Sequence, residues 1–407
     1  MNGAKKFFCT ILALLLCAGL APGALAQVEV RGGYDYTRFR DQDITLNVYN
    51  WGEYISDGED GSMDVVQEFE ELTGIRVNYT TFDTNESLYA KLKSGGGDYD
   101  VIIPSDYMIG KMINEGMLEE LDMGNIPNFD LIDDSCKSQP YDPDNRYSVA
   151  YTWGVVGIVY NKTMVDEADL EQGWGILWDP KYAGNILMFN NSRDAFAIAA
   201  KMLGNSLNPA STDEVDAAAA KLKEQKAVVQ AYVMDEVFDK MIGEEAALAP
   251  YYAGDGITMM ADNENLGMFL PAEGTNRFGD AMCIPKGARN KEAAEMFINF
   301  MCETPVALAN TEYICYSSPQ KEVRALLPAE LSESELMYPG QEYLALCEAM
   351  LVLPDDINSA MDRAWSDVRS YDTSGNGWIF PIILAAMLAL AAFNYWRRAA
   401  QKRRTEF

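Results

Sequence analysis

Between Ile44 and Tyr79 the hydrophobic period changes twice, and this limits the folds open to the chain. Ile44, Leu46 and Val48 alternate with polar neighbours, as in a half-buried strand. Val65, Phe69 and Leu72 then recur at helical spacing, Gly74 stands where a left-handed C-cap belongs, and Ile75, Val77 and Tyr79 alternate again. Strand, helix and strand in that order make a βαβ unit, which requires a parallel sheet covered by helices. Ligands of open α/β sheets bind at the carboxyl ends of the strands. The loop leaving the first strand reads Trp51-Gly52-Glu53-Tyr54, two aromatic rings around one carboxylate, as in one jaw of a cation site. The alternative is that the rings are core and Glu53 a solvated loop charge.

The same grammar continues downstream. A helix is predicted over 86–94, ended by Gly95-Gly96-Gly97, and a buried parallel strand over Tyr99 to Ile103, stopped by Pro104. Ser105-Asp106-Tyr107 therefore emerges on the same rim as Trp51 to Tyr54. The glycine triplet follows a helix and lacks a Lys-Ser/Thr ending, so it is not a phosphate loop. Residues 147–160 are β-prone, with Gly154 and Gly157 as hinge candidates leading into a second lobe. Asn185 to Phe189 reads as a strand, 190–193 as its exit loop and Asp194 to Leu203 as a helix, where Asp194 also has a helix-dipole role open to it. Residues 217–226 read as a solvated Ala/Lys/Glu helix. A strand over 246–252 ends in Tyr251-Tyr252-Ala253-Gly254-Asp255. Phe278-Gly279-Asp280 opens a strand over 281–284, a helix follows over 291–302, and 313–319 crosses back between lobes.

At 407 residues the chain is long enough for two lobes. Its 32 basic residues against 62 acidic ones give a net charge of −30, which repels nucleic acids and attracts small cations. It has no histidine, which removes His-based catalysis and the commonest zinc and copper ligand sets. No cofactor motif is present. Cys136, Cys283, Cys302, Cys315 and Cys347 read mainly as buried small hydrophobes, with a disulfide among them left open.

The ends of the chain carry targeting signals. Lys5 and Lys6, an apolar run and Ala24-Leu25-Ala26 make residues 1–26 a secretory signal peptide; Cys17, preceded by Leu16, does not fit a lipoprotein leader. Residues 27–43 read as a flexible leading segment. After a linker over 372–377, Trp378 to Trp396 is apolar for 19 residues and a basic tail occupies 397–407. At about 1.5 Å per residue the apolar stretch spans a bilayer core of roughly 30 Å. Basic residues stay cytoplasmic, so this transmembrane helix anchors the exported body to the outer face of the cytoplasmic membrane.

Four motifs carry a resemblance: Tyr49-Asn50-Trp51-Gly52-Glu53-Tyr54, residues 85–92 beginning Asn85-Glu86, Tyr99-Asp100-Val101-Ile102-Ile103-Pro104-Ser105, and Tyr151-Thr152-Trp153-Gly154. From about 44 to 370 the chain resembles the substrate-binding receptors of polyamine ABC importers, the spermidine/putrescine-binding family. The resemblance implies a two-lobe, periplasmic-binding-protein-like (type II) α/β fold, with 44–153 and 280–320 in one lobe and 154–279 and 321–371 in the other. It implies no enzymatic activity, and as partners a polyamine, ABC permease subunits and a cytoplasmic ATPase. Position by position, it places Trp51, Glu53, Tyr54 and Tyr107 at the ligand unchanged. Asn191 stands where spermidine-preferring members carry Asp, and Asp194 matches an acidic partner. Tyr252 and Phe278 each replace a Trp, Asp280 matches the family's main carboxylate, and Tyr316 aligns with a Tyr. A family Gln near the C-terminus has no clear counterpart.

Such residues suit a polyamine independently of likeness. Ammonium groups separated by methylenes need carboxylates at fixed distances with flat rings between them. Cation–π contacts contribute roughly 0.5–2 kcal/mol each, and charge-assisted hydrogen bonds about 1.5–3 kcal/mol each. With Asn191 in place of an acid, the expectation is a preference for putrescine or near-parity with spermidine, unless Asp106, Asp194 or Asp255 supplies the charge. Two other functions compete: a ferric-iron receptor using Tyr251 and Tyr252, and a wall hydrolase pairing Glu53 with Asp280.

Overall fold

The computed structural model describes residues 28–371. The signal peptide, linker, apolar C-terminal stretch and basic tail expected from the sequence lie outside them. Among the described residues no helix is long and apolar enough to cross a membrane.

The strands are β1 (Thr45–Trp51), β2 (Arg76–Phe82), β3 (Val101–Ile102), β4 (Ser148–Asn161), β5 (Ile186–Phe189), β6 (Val229–Val233), β7 (Leu248–Tyr252), β8 (Leu266–Phe269) and β9 (Arg277–Cys283). They hydrogen-bond in the order β2-β1-β3-β9-β4-β7-β5-β6, with β8 also on β4. The βαβ unit is present: α1 (Val65–Thr73) joins β1 to β2, which run parallel. Asp64 caps α1 by accepting from the Gln67 N–H at 2.8 Å. Gly74 ends it in the left-handed region at φ 76°. A Cβ at Gly74 would also lie 3.1–3.3 Å from Arg40, so glycine serves both the torsion and the packing there.

Next, α2 (Asn85–Lys93) opens with a Thr84/Ser87 capping box. β3 then pairs parallel to β1 on the side away from β2. The chain thus changes direction across the sheet between β1 and β3, and the exits of both strands border that switch point. From the β3 exit runs α3 (Asp106–Asn114).

β4 and β9 tie the lobes together. Ser148 to Val155 of β4 pairs antiparallel with β9, with a register shift between Ala150 and Thr152. Val156 to Tyr160 pairs with β7, so one 14-residue strand belongs to both lobes. Gly154 and Gly157 lie inside it, and neither has a positive φ. A Cβ at Gly154 would come within 2.7 Å of Phe278 Cζ, and one at Gly157 within 2.7 Å of the Phe269 carbonyl oxygen. Close packing therefore requires glycine at both positions.

In the second lobe β5 runs parallel to β6 and β7. Its helices include α4 (Ser192–Met202), α5 (Thr212–Gln225), α6 (Glu236–Ile242) and α7 (Ala253–Asp262). The helix expected to be solvated, α5, buries Val215, Ala218, Ala219 and Leu222 on one face. The C-terminal helix Asp355–Ser370 covers this lobe, setting Trp365 edge-on to Phe196 and Tyr232.

The leading segment differs from expectation. Tyr36 is buried, and its hydroxyl donates to Glu303 at 2.7 Å, while Val28 joins the main core. The polar composition that suggests flexibility here supplies partners for a buried acid at the junction of α8 (Lys291–Met301) and α9 (Thr304–Ile314). Val323, Leu327 and Met337 form a small cluster with Ala307 of α9, against which Ile257 of α7 also packs. All five described cysteines are free thiols.

Candidate functional site

The exits of β1 and β3 face the start of α4 and the end of β7 across a narrow slot. A Cβ on Gly52 would meet Asp235 Oδ2 at 2.7 Å, so first-lobe and second-lobe walls are nearly in contact. The slot offers about 60 Å³ to the centres of water molecules. At roughly 10–15 Å³ per water on that measure, it suits a row of a few waters or one slender chain.

Nine of the ten site residues expected from sequence line this slot: Trp51, Tyr54, Tyr107, Asn191, Asp194, Tyr252, Phe278, Asp280 and Tyr316. Glu53 does not. It sits in the left-handed region at φ 49° and is exposed at the rim. Its charge still bears on the site, helping to raise the pKa values of Asp235 and Asp255.

Rings form the walls. Tyr54 meets Tyr316 edge-on at 4.8 Å between centroids, Tyr316 lies 6.0 Å from Phe278, and Phe278 lies 5.2 Å from Tyr252. Trp51 leans on Phe82 at 4.5 Å, and its buried indole N–H has no partner. Tyr107 donates to Glu86 Oε1 at 3.0 Å and takes a bond from Asn85 at 3.2 Å, which fixes its ring beneath the Arg193 guanidinium.

Acids are set between the rings. Asp280, on β9, accepts from the Tyr54 hydroxyl at 2.6 Å through Oδ2, while its buried Oδ1 has no partner. Burial pushes its carboxyl up to about 6, against the hydrogen bond from Tyr54 and the nearby Ser105 hydroxyl. Asp194, in the first turn of α4, accepts from Tyr252 at 2.9 Å and is likewise pushed up to about 6 by burial. Asn191 caps α4, its side chain accepting from the Arg193 N–H at 2.9 Å, so part of its polar capacity is committed to the fold.

Sequence reading assigned no primary role to several lining residues. Asp106 begins α3, is buried, and is pushed up to about 8 by burial and then by the charge of Asp280. Asp255 begins α7, accepts from Tyr316 at 2.9 Å, and is also pushed up to about 8 by burial. The sequence places each just past a strand end and offers both as replacements for a missing acid. Asn276, Asp235 and Met350 carry no local motif and reach the slot only through the tertiary fold.

The competing chemistries find little support in this geometry. Tyr251 and Tyr252 face the carboxyls of Asp235 and Asp194, and burial with those charges holds both phenols well above their ordinary range, which disfavours the phenolate a ferric ion requires. Among the described residues no group of three or more His, Cys, Asp or Glu side chains is placed to hold a metal. Glu53 and Asp280 do not share the slot, so the hydrolase pairing has no site.

Comparison with known proteins agrees with this architecture. Residues 99–346 match the family described as bacterial extracellular solute-binding protein. The spermidine/putrescine-binding periplasmic protein of Escherichia coli is 34% identical over 303 residues, 74% of this chain and 85% of that protein. A putative spermidine/putrescine ABC transporter structure from Listeria monocytogenes superposes with a TM-score of 0.76 at 35% identity, covering 81% of this chain and 99% of the other. The substrate-binding protein PotD of Streptococcus pneumoniae gives 0.68 at 36% identity, covering 81% and 99%. Fold, slot and relatives converge, and the chain belongs to the bacterial extracellular solute-binding proteins, a family of receptors and not of enzymes.

Proposed function

We propose that the protein is an extracytoplasmic receptor that holds putrescine or spermidine in the slot between its lobes and delivers it to an ABC permease driven by a cytoplasmic ATPase. The observation that carries this reading is Asp280 Oδ1, a buried carboxylate oxygen without a partner at the wall of a slot lined by further aspartates and by seven aromatic residues. A buried anion left unpaired is costly, and a protonated amine is the counter-ion that relieves it. The relatives' names, spermidine/putrescine-binding proteins, point the same way.

In this reading Asp280 and Asp194 take ammonium groups, with Asp106 and Asp255 in reserve, while Trp51, Tyr54, Tyr107, Tyr252, Phe278 and Tyr316 flank the methylenes. Glu53 contributes long-range attraction at the rim. Asn191, committed to its cap, favours putrescine or near-parity over strong spermidine selectivity. The apolar stretch Trp378 to Trp396 with its basic flank supports a membrane-spanning anchor behind the helix that ends at Ser370. Calorimetric titration of the purified protein tests the reading: stoichiometric binding of putrescine or spermidine is expected, and heat from neither amine contradicts it.

A further inference from the structure

A second and larger cavity, of about 330 Å³, adjoins the slot: Phe278 and Asp280 of β9 line both, whereas Arg277 and Gly279 line only the larger one. That volume lies at the lower end of the roughly 300–1,000 Å³ typical of small-molecule sites. Trp153, paired with Gly279 across the strands, likewise lines only the larger cavity. A Cβ on Gly279 would find nothing within 4 Å, so that residue is the floor of open space.

Arg277 is the single basic residue in this lining. Its guanidinium lies 4.8 Å from the centroid of the Trp153 ring and is half-buried. Among the described residues no carboxylate pairs with it and no carbonyl accepts from its side chain, although the chain carries 62 acids. Of the two acids that also line the cavity, Asp106 accepts from the Tyr107 N–H at 2.6 Å and Asp280 accepts from Tyr54 through Oδ2, and neither pairs with Arg277. The opposite wall is the segment Ala349 to Val352, which leaves Leu351 and Val352 exposed. A forked donor set on an aromatic plane, with Tyr141, Leu351 and Val352 in the same lining, matches a carboxylate joined to a flat apolar body.

We propose that this cavity is a second ligand site, which takes a small organic carboxylate with a flat, apolar body. The carboxylate pairs with Arg277 and the body lies against Trp153, Tyr141 and Leu351. The two cavities share Asp106, Tyr107, Phe278, Asp280 and Met350, so an occupant of one changes the affinity of the other by the same factor in both directions.

The test uses the purified protein with 4-fluorobenzoate, and the uncharged 4-fluorobenzamide as its control, observed by fluorine NMR at physiological salt. The expected result is binding of the benzoate at least about tenfold tighter than of the amide. Arg277→Gln should weaken the benzoate by a similar factor at an unchanged melting temperature, and Gly279→Leu, which fills the floor, should abolish it. Absence of benzoate binding, equal affinity for the two probes, or benzoate affinity unchanged in Arg277→Gln overturns the proposal. If Gly279→Leu fails to fold, the Arg277→Gln result and the probe comparison still decide.

Discussion

Asp280→Asn separates the ligand's demand for charge from the fold's aversion to it. The carboxyl is buried, spends one oxygen on Tyr54 at 2.6 Å and leaves the other unpaired. Its folded pKa is raised from 3.8 to about 6. A carboxyl with a raised folded pKa costs stability that is absent below pH 3.8, grows through that interval and is complete above about 6. The interval corresponds to roughly 3 kcal/mol at pH 7. Asparagine keeps an acceptor for Tyr54 and removes the buried charge, so the unliganded variant should melt at the same temperature or higher. The amine loses a charge-assisted hydrogen bond of about 1.5–3 kcal/mol, or about ten- to a hundredfold in Kd. Calorimetry with putrescine, beside thermal unfolding of the ligand-free variant, reads both effects. An unchanged dissociation constant would remove Asp280 from the site, and a sharply lowered melting temperature would refute the electrostatic argument.

Four further outcomes follow from the same geometry. Asp194 and Asp280, both near 6, must be ionised to hold an amine, so between pH 7 and pH 5 affinity should fall about tenfold for each one engaged. Asp106 and Asp255, near 8, are largely protonated at pH 7 in the empty slot, so an amine that ionises either releases protons; a binding heat independent of buffer ionisation enthalpy contradicts this. Asn191→Asp retains the cap on α4 and adds a carboxylate to the second-lobe wall, so competition titrations should move towards spermidine, whereas an unmoved ratio discards the residue as a selector. Gly157→Ala places a Cβ 2.7 Å from the Phe269 carbonyl oxygen, a backbone atom with little freedom, and should lose about 1–3 kcal/mol in urea unfolding; an unshifted midpoint means that the strands part easily there.

The first half of the fold was legible because local signals and tertiary use coincide. Asp64 and Gly74 bound α1 as their chemistry dictates, and the strand exits at Trp51 and Ser105 meet at the switch point that a βαβ pattern implies. Residues 27–43 read as flexible because the segment is polar and contains glycine, and the buried partner of its Tyr36, Glu303, lies 267 residues away. What faces Gly154 and Gly157, here Phe278 and Phe269, is equally invisible in the sequence. At the site, motif and family likeness found residues on strand exits. They missed Met350, Asp235 and Asn276, which come from stretches without periodic signal, and they kept Glu53, whose left-handed backbone holds it at the rim.

The central claim is that buried carboxylates and rings between the lobes exist to hold an amine. A crystal structure of the protein with putrescine tests it most directly. The account predicts one ammonium within hydrogen-bond distance of Asp280 Oδ1, methylenes flanked by Phe278 and Tyr252, and the lobes closed over them. A putrescine found outside the slot, or bound within it while Asp280 Oδ1 stays unpaired, would contradict it.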